Sequence, residues 1–409
     1  MKYIIQKIKV HLLLIGTAIV VLSSCNKAPE EFPVPPVVPP TGLSLGAMIA
    51  AEPNDSLYYR LISRAGMVPL IANKDATYTM FVPVNSAMRS FINAISGGAV
   101  PINAPDAVFS AFISNNIPVA SAQGIVSYNI TSQALPLANI PTTFPNLQYP
   151  TILNPAPSIS ALLRLTTFPT TRNGAWINNV PLVSTNLFAA NGVIYNTAAV
   201  PAPPQRYLWD RINTDPQLTY LKAAINRADS GTAAPGTLQG ALLNIGANLT
   251  VFAPIDSAFK VTLTGAIYQG LVAMGVPPAT AFAQATALAS TPAVFSNPAL
   301  YGVLTAQTVK GIVVYHILGN RAYTNNFPTT ITFYPTLLNG GIPTHPGVGL
   351  TAVLGAPFVT SATVKGEGNA TAANIIINAS PLLPDPVGTS DQQYLNGVLQ
   401  KINQVLLPQ

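Results

Sequence analysis

Charge is what this sequence has least of. Of its 409 residues only 8% are Asp, Glu, Lys or Arg, against about 25% in an ordinary soluble domain, while 49% are hydrophobic. Disorder needs the opposite pairing, low hydrophobicity with high net charge, so the bulk of the chain must fold. Cysteine is nearly absent. The single one, Cys25, excludes an internal disulfide framework and any cysteine-rich zinc module. No Gly-x-Ser-x-Gly elbow, P-loop or dinucleotide fingerprint occurs. The two glycines of Lys365-Gly-Glu-Gly-Asn369 lack a third and read as a turn. A metal site needs convergent ligands, yet the 13 carboxylates are mostly isolated. Asp229, Asp256, Glu367 and Asp391 are the ones that would have to meet in space for metal or paired-carboxylate chemistry, and nothing in their spacing brings them together. No catalytic residue, metal site or cofactor is expected.

What is present begins at the N-terminus. Lys2, Lys7 and Lys9 precede an apolar run from Val10 to Leu22, the pattern of a secretory signal. Without those lysines the net charge falls from +6 to about +3, and no Lys or Arg run is left to track phosphates, so nucleic acid is not an expected partner. The signal ends in Leu22-Ser23-Ser24-Cys25, which resembles a bacterial lipobox. That resemblance implies lipidation of Cys25 and a membrane anchor that does not span. A proline-rich tether follows, Phe32 to Pro40, suited to extended polyproline II. The Glu30-Glu31 pair resembles the acidic surface-export tags of some Gram-negative lipoproteins. The expected location is the outer membrane, facing the exterior, with a periplasmic face as the alternative.

The remainder repeats. Thr79-Met-Phe-Val-Pro-Val-Asn-Ser-Ala-Met88 aligns with Thr250-Val-Phe-Ala-Pro-Ile-Asp-Ser-Ala-Phe259. Both read as a short buried strand, a proline stop and a helix, with Asn85 and Asp256 at the N-cap. Leu57, Tyr58, Leu61, Ile62 and Ala65 form an upstream helical stripe, as do Leu218, Leu221, Ala224 and Ile225. Val126-Ser-Tyr-Asn-Ile130 then matches Val313-Val-Tyr-His-Ile317, and Asn191-Gly-Val-Ile-Tyr195 matches Asn396-Gly-Val-Leu-Gln400. The offset grows from 171 to 187 to 205 residues, so the second copy of this tandem duplication carries insertions.

These motifs resemble the fasciclin domain family. The first box, with Phe81, Pro83 and Asn85 or Phe252, Pro254 and Asp256, is similar to the family's opening pattern. Tyr315-His316 is similar to its tyrosine-histidine box, and Asn191-Gly192 and Asn396-Gly397 open its closing strand. The first copy departs from the pattern at Asn129, where the histidine would stand. The resemblance implies an α+β chain of two tandem fasciclin-like domains, each a wedge of two packed β-sheets with short helices alongside. The division is then 1–24 signal peptide, 25–42 lipidated cysteine and tether, 43–202 domain 1, and 203–409 domain 2 with insertions. It also implies cell-surface adhesion or binding of protein or glycan partners.

His316 lies in an apolar, strand-like run, Gly311 to Leu318, and reads as a structural histidine. No charge occurs between Asp106 and Arg164 or between Lys260 and Lys310. With their prolines these stretches read as long polar loops, a surface without charge repulsion that suits adhesion or glycan contact. Trp176, in Asn173-Gly-Ala-Trp-Ile177, is the candidate exposed aromatic for a ligand, with core packing as the alternative. The reading is a lipid-anchored adhesion or interaction protein without catalysis. Its alternatives are a glycan-capture accessory of an outer-membrane nutrient importer, with an aromatic groove in the 263–310 insertion, a hydrolase, and a periplasmic structural protein.

Overall fold

The computed structural model describes residues 41–234, 236–355, 358–383 and 387–409. The signal segment, Cys25 and the proline-rich tether lie outside the described residues. The chain divides into two units, 1–40 and 41–409, and both repeats belong to the second.

Repeat 1 opens with α1 (Leu45–Ala51), α2 (Ser56–Arg64) and α3 (Val68–Ala72), then β1 (Tyr78–Pro83). Next come α4 (Asn85–Ile95), α5 (Asp106–Asn116), α6 (Val119–Tyr128) and β2 (Ile130–Thr131). Short strands β3 (Tyr149–Pro150), β4 (Thr166–Thr167), β5 (Pro169–Thr170) and β6 (Trp176–Ile177) lead to the hairpin of β7 (Val180–Ala189) and β8 (Gly192–Thr197). The stripe on α2 is buried at Leu57, Tyr58, Leu61 and Ile62, each such side chain stabilising by about 1.5–3 kcal/mol when fully buried. Closing strand β8 runs parallel to opening strand β1, Tyr78 beside Gly192 through Pro83 beside Thr197, in a sheet ordered β2-β1-β8-β7-β6-β5. Pro83 ends β1 because it offers no further N–H to the ladder.

Repeat 2 rebuilds this plan with α7 (Leu208–Thr214), α8 (Thr219–Ala228), α9 (Leu238–Leu243), β9 (Leu249–Pro254), α10 (Asp256–Ala273), α11 (Pro278–Leu288), α12 (Ala306–Tyr315) and β10 (Ile317–Leu318). A sheet of β11 (Thr332–Tyr334), β12 (Val348–Gly355), β13 (Phe358–Lys365) and β14 (Ala373–Asn374) intervenes before β15 (Gln392–Tyr394) and β16 (Gly397–Ile402). The order β10-β9-β16-β15, with β9 parallel to β16, reproduces β2-β1-β8-β7. Val348, Leu350 and Val364 of the intervening sheet share a core with Phe252, Tyr315 and Ile402. This is the α+β arrangement expected, with helices packed along one side.

Two expectations are corrected. The charge-free stretches are loop only in part: α5 and α6 occupy the first as far as Tyr128, after which it runs as turns and short strands, whereas α10, α11 and the start of α12 fill most of the second. Alanine, threonine and serine flank their apolar stripes, so the helical period lacks the charge contrast that would reveal it. The prolines fall where helices tolerate them: Pro118 and Pro277 precede α6 and α11, and Pro278 is the first residue of α11, where a missing N–H costs nothing. His316 does not lie in a strand either. Helix α12 continues to Tyr315, and His316 is its C-cap.

Candidate functional site

The motif residues hold the fold together, and the Asn85/Asp256 and Asn-Gly positions do so in the same way in both repeats. Asn85 and Asp256 do not cap their own helices, which begin at these residues after Val84 and Ile255. Asn85 Oδ1 instead accepts the Leu57 N–H at 3.0 Å. Asp256 accepts the Tyr220 N–H at 3.0 Å and the Thr219 hydroxyl at 2.6 Å. Each therefore caps an earlier helix, α2 or α8, from a distant segment, an interaction worth about 1 kcal/mol. Asn191 accepts the Leu45 N–H at 2.7 Å and donates to Ile71 O at 3.0 Å. Asn396 treats Leu208 N–H and Leu242 O the same way, at 3.0 and 2.8 Å. One asparagine thus closes the start of the first helix and the end of the third. The glycines that follow are steric necessities: a Cβ on Gly192 would sit 1.9 Å from Tyr78 O, and one on Gly397 2.4 Å from Leu249 O. Phe81 stacks on Tyr195 with centroids 5.8 Å apart, and Phe252 meets Phe327 edge-on at 6.5 Å. Pro83 and Pro254 are buried.

The histidine position explains its own exception. His316 is buried; Nδ1 donates to Ile312 O at 2.8 Å and Nε2 accepts the Leu406 N–H at 2.8 Å. That pairing fixes the neutral tautomer, and burial, opposed by the bond to Ile312, lowers its pKa to about 4. In repeat 1 Asn129 Nδ2 donates to Ile125 O at 2.8 Å and to Pro201 O at 2.9 Å. Positions 201 and 406 correspond through the Asn-Gly boxes. Proline has no N–H, so an imidazole acceptor would face nothing there, whereas an amide donor finds the carbonyl. Tyr315 donates to Gly347 O at 2.7 Å and accepts the Glu367 N–H at 2.9 Å. His345 accepts the Gly347 N–H at 2.9 Å and donates to Pro408 O at 2.8 Å. Both histidines hold loops in place.

Trp176 is not exposed. It is 3% accessible, with Nε1–H donating to Asn173 O at 2.9 Å and its ring against Phe358 at 6.4 Å. Pairing of β5 with β6 turns its loop inward, onto a seam between the repeats that the sequence did not disclose. There Asn173 Nδ2 donates to Asn325 O at 2.8 Å and Phe327 O at 2.9 Å. Thr170 donates to Asn326 Oδ1 at 3.0 Å, and Asn326 Nδ2 to Thr143 O at 3.0 Å. Asn178, with φ of 54°, receives the Asn325 Nδ2 bond on its carbonyl at 2.8 Å and donates to Gln393 Oε1 at 3.1 Å. Phe168 packs on Tyr323 at 5.9 Å and beneath the Arg321 guanidinium at 5.0 Å. Amides that read as exposed polar surface instead join the two repeats.

The candidate carboxylates stay apart. Asp229 accepts the Leu238 and Gln239 N–H groups at 2.7 and 3.0 Å, at the start of α9. Glu367 lies exposed in a turn. Asp391 is half-buried within repeat 2, accepting the Thr324 N–H and the Gln400 amide, both at 2.8 Å. Burial raises its pKa against the lowering effect of those bonds. Among the described residues no group of three or more His, Cys, Asp and Glu can hold a metal ion. Two other acids hold the closing strands: Asn196 donates to Asp55 at 2.8 Å, and Lys401 contacts Asp215 at 2.7 Å, beside Arg211 at 2.8 Å. Desolvation, opposed by the Asn196 bond and aided by Glu52, raises the Asp55 pKa to about 6.

One open cavity stands out, a cleft of about 610 Å³ lined by Lys222, Asn226 and Arg227 of α8 and by Phe295, Ser296 and Tyr301 of the insertion. The Arg227 guanidinium lies 3.7 Å from the Tyr301 ring centroid. A second, mostly apolar hollow of about 430 Å³ lies along α10 and α11, near Tyr268 and Phe282.

The model of the fasciclin domain family matches residues 53–200, the helices and sheet of repeat 1. Repeat 2 reproduces that strand order, helix capping and glycine placement, so the described chain is a tandem of two such folds, the first of which the fasciclin model matches. Among solved structures it is similar to a FAS1 domain pair from the insect cell adhesion molecule fasciclin I. There the identity is 14%, 87% of this chain and 98% of that one are covered, and the TM-score is 0.31. No curated protein matches the chain significantly.

Proposed function

We propose that the protein is a lipid-anchored, non-catalytic interaction protein of the outer-membrane surface that holds protein or glycan partners. The seam carries this reading. It joins both repeats within one unit, 41–409, so a ligand bound on either would pull on a single body rather than on two beads. The groups with chemical potential support it too. His316, His345, Asp229, Asp256 and Asp391 each hold a backbone segment, an arrangement that gives a hydrolase no facing pair among these carboxylates. The cleft beside Tyr301 favours a second reading, glycan capture for an outer-membrane importer. Protease treatment of intact cells, with a periplasmic protein monitored alongside, tests the location. Digestion while the control survives is the expected result. Protection until lysis would overturn both readings and leave a periplasmic scaffold.

A further inference from the structure

The two repeats share an arginine but use it differently. Arg64 Nε donates to Ile117 O at 2.9 Å, and Arg227 Nε donates to the equivalent Leu304 O at 2.8 Å. Only in repeat 2 does an insertion fold back over this arginine, bringing Tyr301 onto the guanidinium and closing the cleft of about 610 Å³. That volume falls within the roughly 300–1,000 Å³ of small-ligand sites. We propose that this cleft binds acidic saccharides, sugar units carrying a carboxylate.

Charge is the first argument. Lys222 and Arg227 both line the cleft, and the one carboxylate among its described lining residues, Asp215, is buried between Arg211 and Lys401. In a chain with so few charges, those two cations set a positive local potential, which attracts a carboxylate. Lining chemistry is the second. Tyr301 is 39% exposed and, with Ala223 and Phe295, offers apolar surface for the C–H face of a sugar. Asn226, Ser230 and Ser296 offer amide and hydroxyl partners for its ring of hydroxyls. The N-terminus of α8, the backbone group that would favour a phosphate, is already capped by Asp256, which leaves the side-chain cations Lys222 and Arg227 to meet the anion.

This inference rests on the reading of the chain as a binding protein and names the ligand. Its test uses the full chain in detergent, titrated calorimetrically with oligomers of galacturonic, glucuronic and mannuronic acid and with their methyl esters, which keep the ring and lose the charge. At least one acid oligomer should bind, its ester about tenfold more weakly or worse, with added salt reducing the difference. Lys222→Glu should weaken binding by about tenfold and Tyr301→Ala by several-fold, both variants melting as the parent does. No binding by any acid, equal binding of acid and ester, or binding untouched by both substitutions would overturn the proposal. Binding in solution does not depend on which side of the membrane the protein faces. A surface-exposed chain that binds none of these acids would sink this inference alone, whereas a periplasmic chain that binds them would sink only the surface role.

Discussion

The repeats reach the same fold with different chemistry at matched positions, and acid should separate them. Repeat 2 clamps its last segment with His316, whose pKa is lowered to about 4. Between its ordinary value near 6.5 and about 4, the unfolded chain binds a proton that the folded chain refuses, so stability is lost as pH falls through that window. Repeat 1 uses Asn129 there, which does not titrate. Its buried acid, Asp55, has a pKa raised to about 6. The folded form therefore takes its proton first, and stability is lost as pH rises from about 4 through 6. The lesson is that a duplicated fold preserves geometry, here a donor or acceptor at a fixed point, and leaves the ionisable group free to change.

The strongest way to break the comparison is at what the repeats share. Gly192→Ala drives a methyl into Tyr78 O, and Gly397→Ala one into Leu249 O. Each should cost more than about 4 kcal/mol and abolish cooperative melting by circular dichroism. Gly124→Ala on α6, where a Cβ meets nothing within 4 Å, should instead raise the melting temperature, by up to about 1 kcal/mol in stability. A parent-like melt for Gly192→Ala would mean that β1 and β8 do not pair as described.

Cutting the seam comes next. Asn178→Ala removes bonds to Phe168 N, Tyr128 and Gln393 and should cost about 3 kcal/mol. One calorimetric transition should become two, that of repeat 1 rising between pH 7 and pH 4 and that of repeat 2 rising less or falling, since His316 there opposes the raised acid Asp391. A single transition in that variant would show that the bonds of Asn173, Thr170 and Asn326 suffice to hold the repeats together without Asn178. Exchanging the clamps has a smaller effect. Asn129→His should cost about 2 kcal/mol, because its ring acceptor faces a proline, and adding Pro201→Leu should recover part of it in urea unfolding. Asp55→Asn is smallest: a gain on the order of 1–2 kcal/mol at pH 7, shrinking as pH approaches 4.

Much of the fold was legible because its signals are local. The strand-proline-helix boxes, the stripe on α2 and the Asn-Gly closing strands all lie within single segments. Capping was misread because the bond from Asn85 reaches back 28 residues to Leu57 and that from Asp256 36 residues to Tyr220, so each capping residue stands far from the helix it caps. The seam was hidden for the same reason. Asn178 meets Gln393 across 215 residues, and an asparagine among threonines reads identically whether it faces water or another amide. The 263–310 insertion was placed beside a groove, but Arg227 and Tyr301 were not singled out, since only the folded insertion stacks one on the other.

The parallel pairing of first and last strands also governs when each repeat can fold. Closing strand β8 lies between β1 and β7, and β16 between β9 and β15, so neither sheet has its centre until the end of its repeat exists. Such non-local closure is slow and late. A chain emerging N-terminus first therefore stays open until nearly all of each repeat is present, and repeat 2 waits for Ile402.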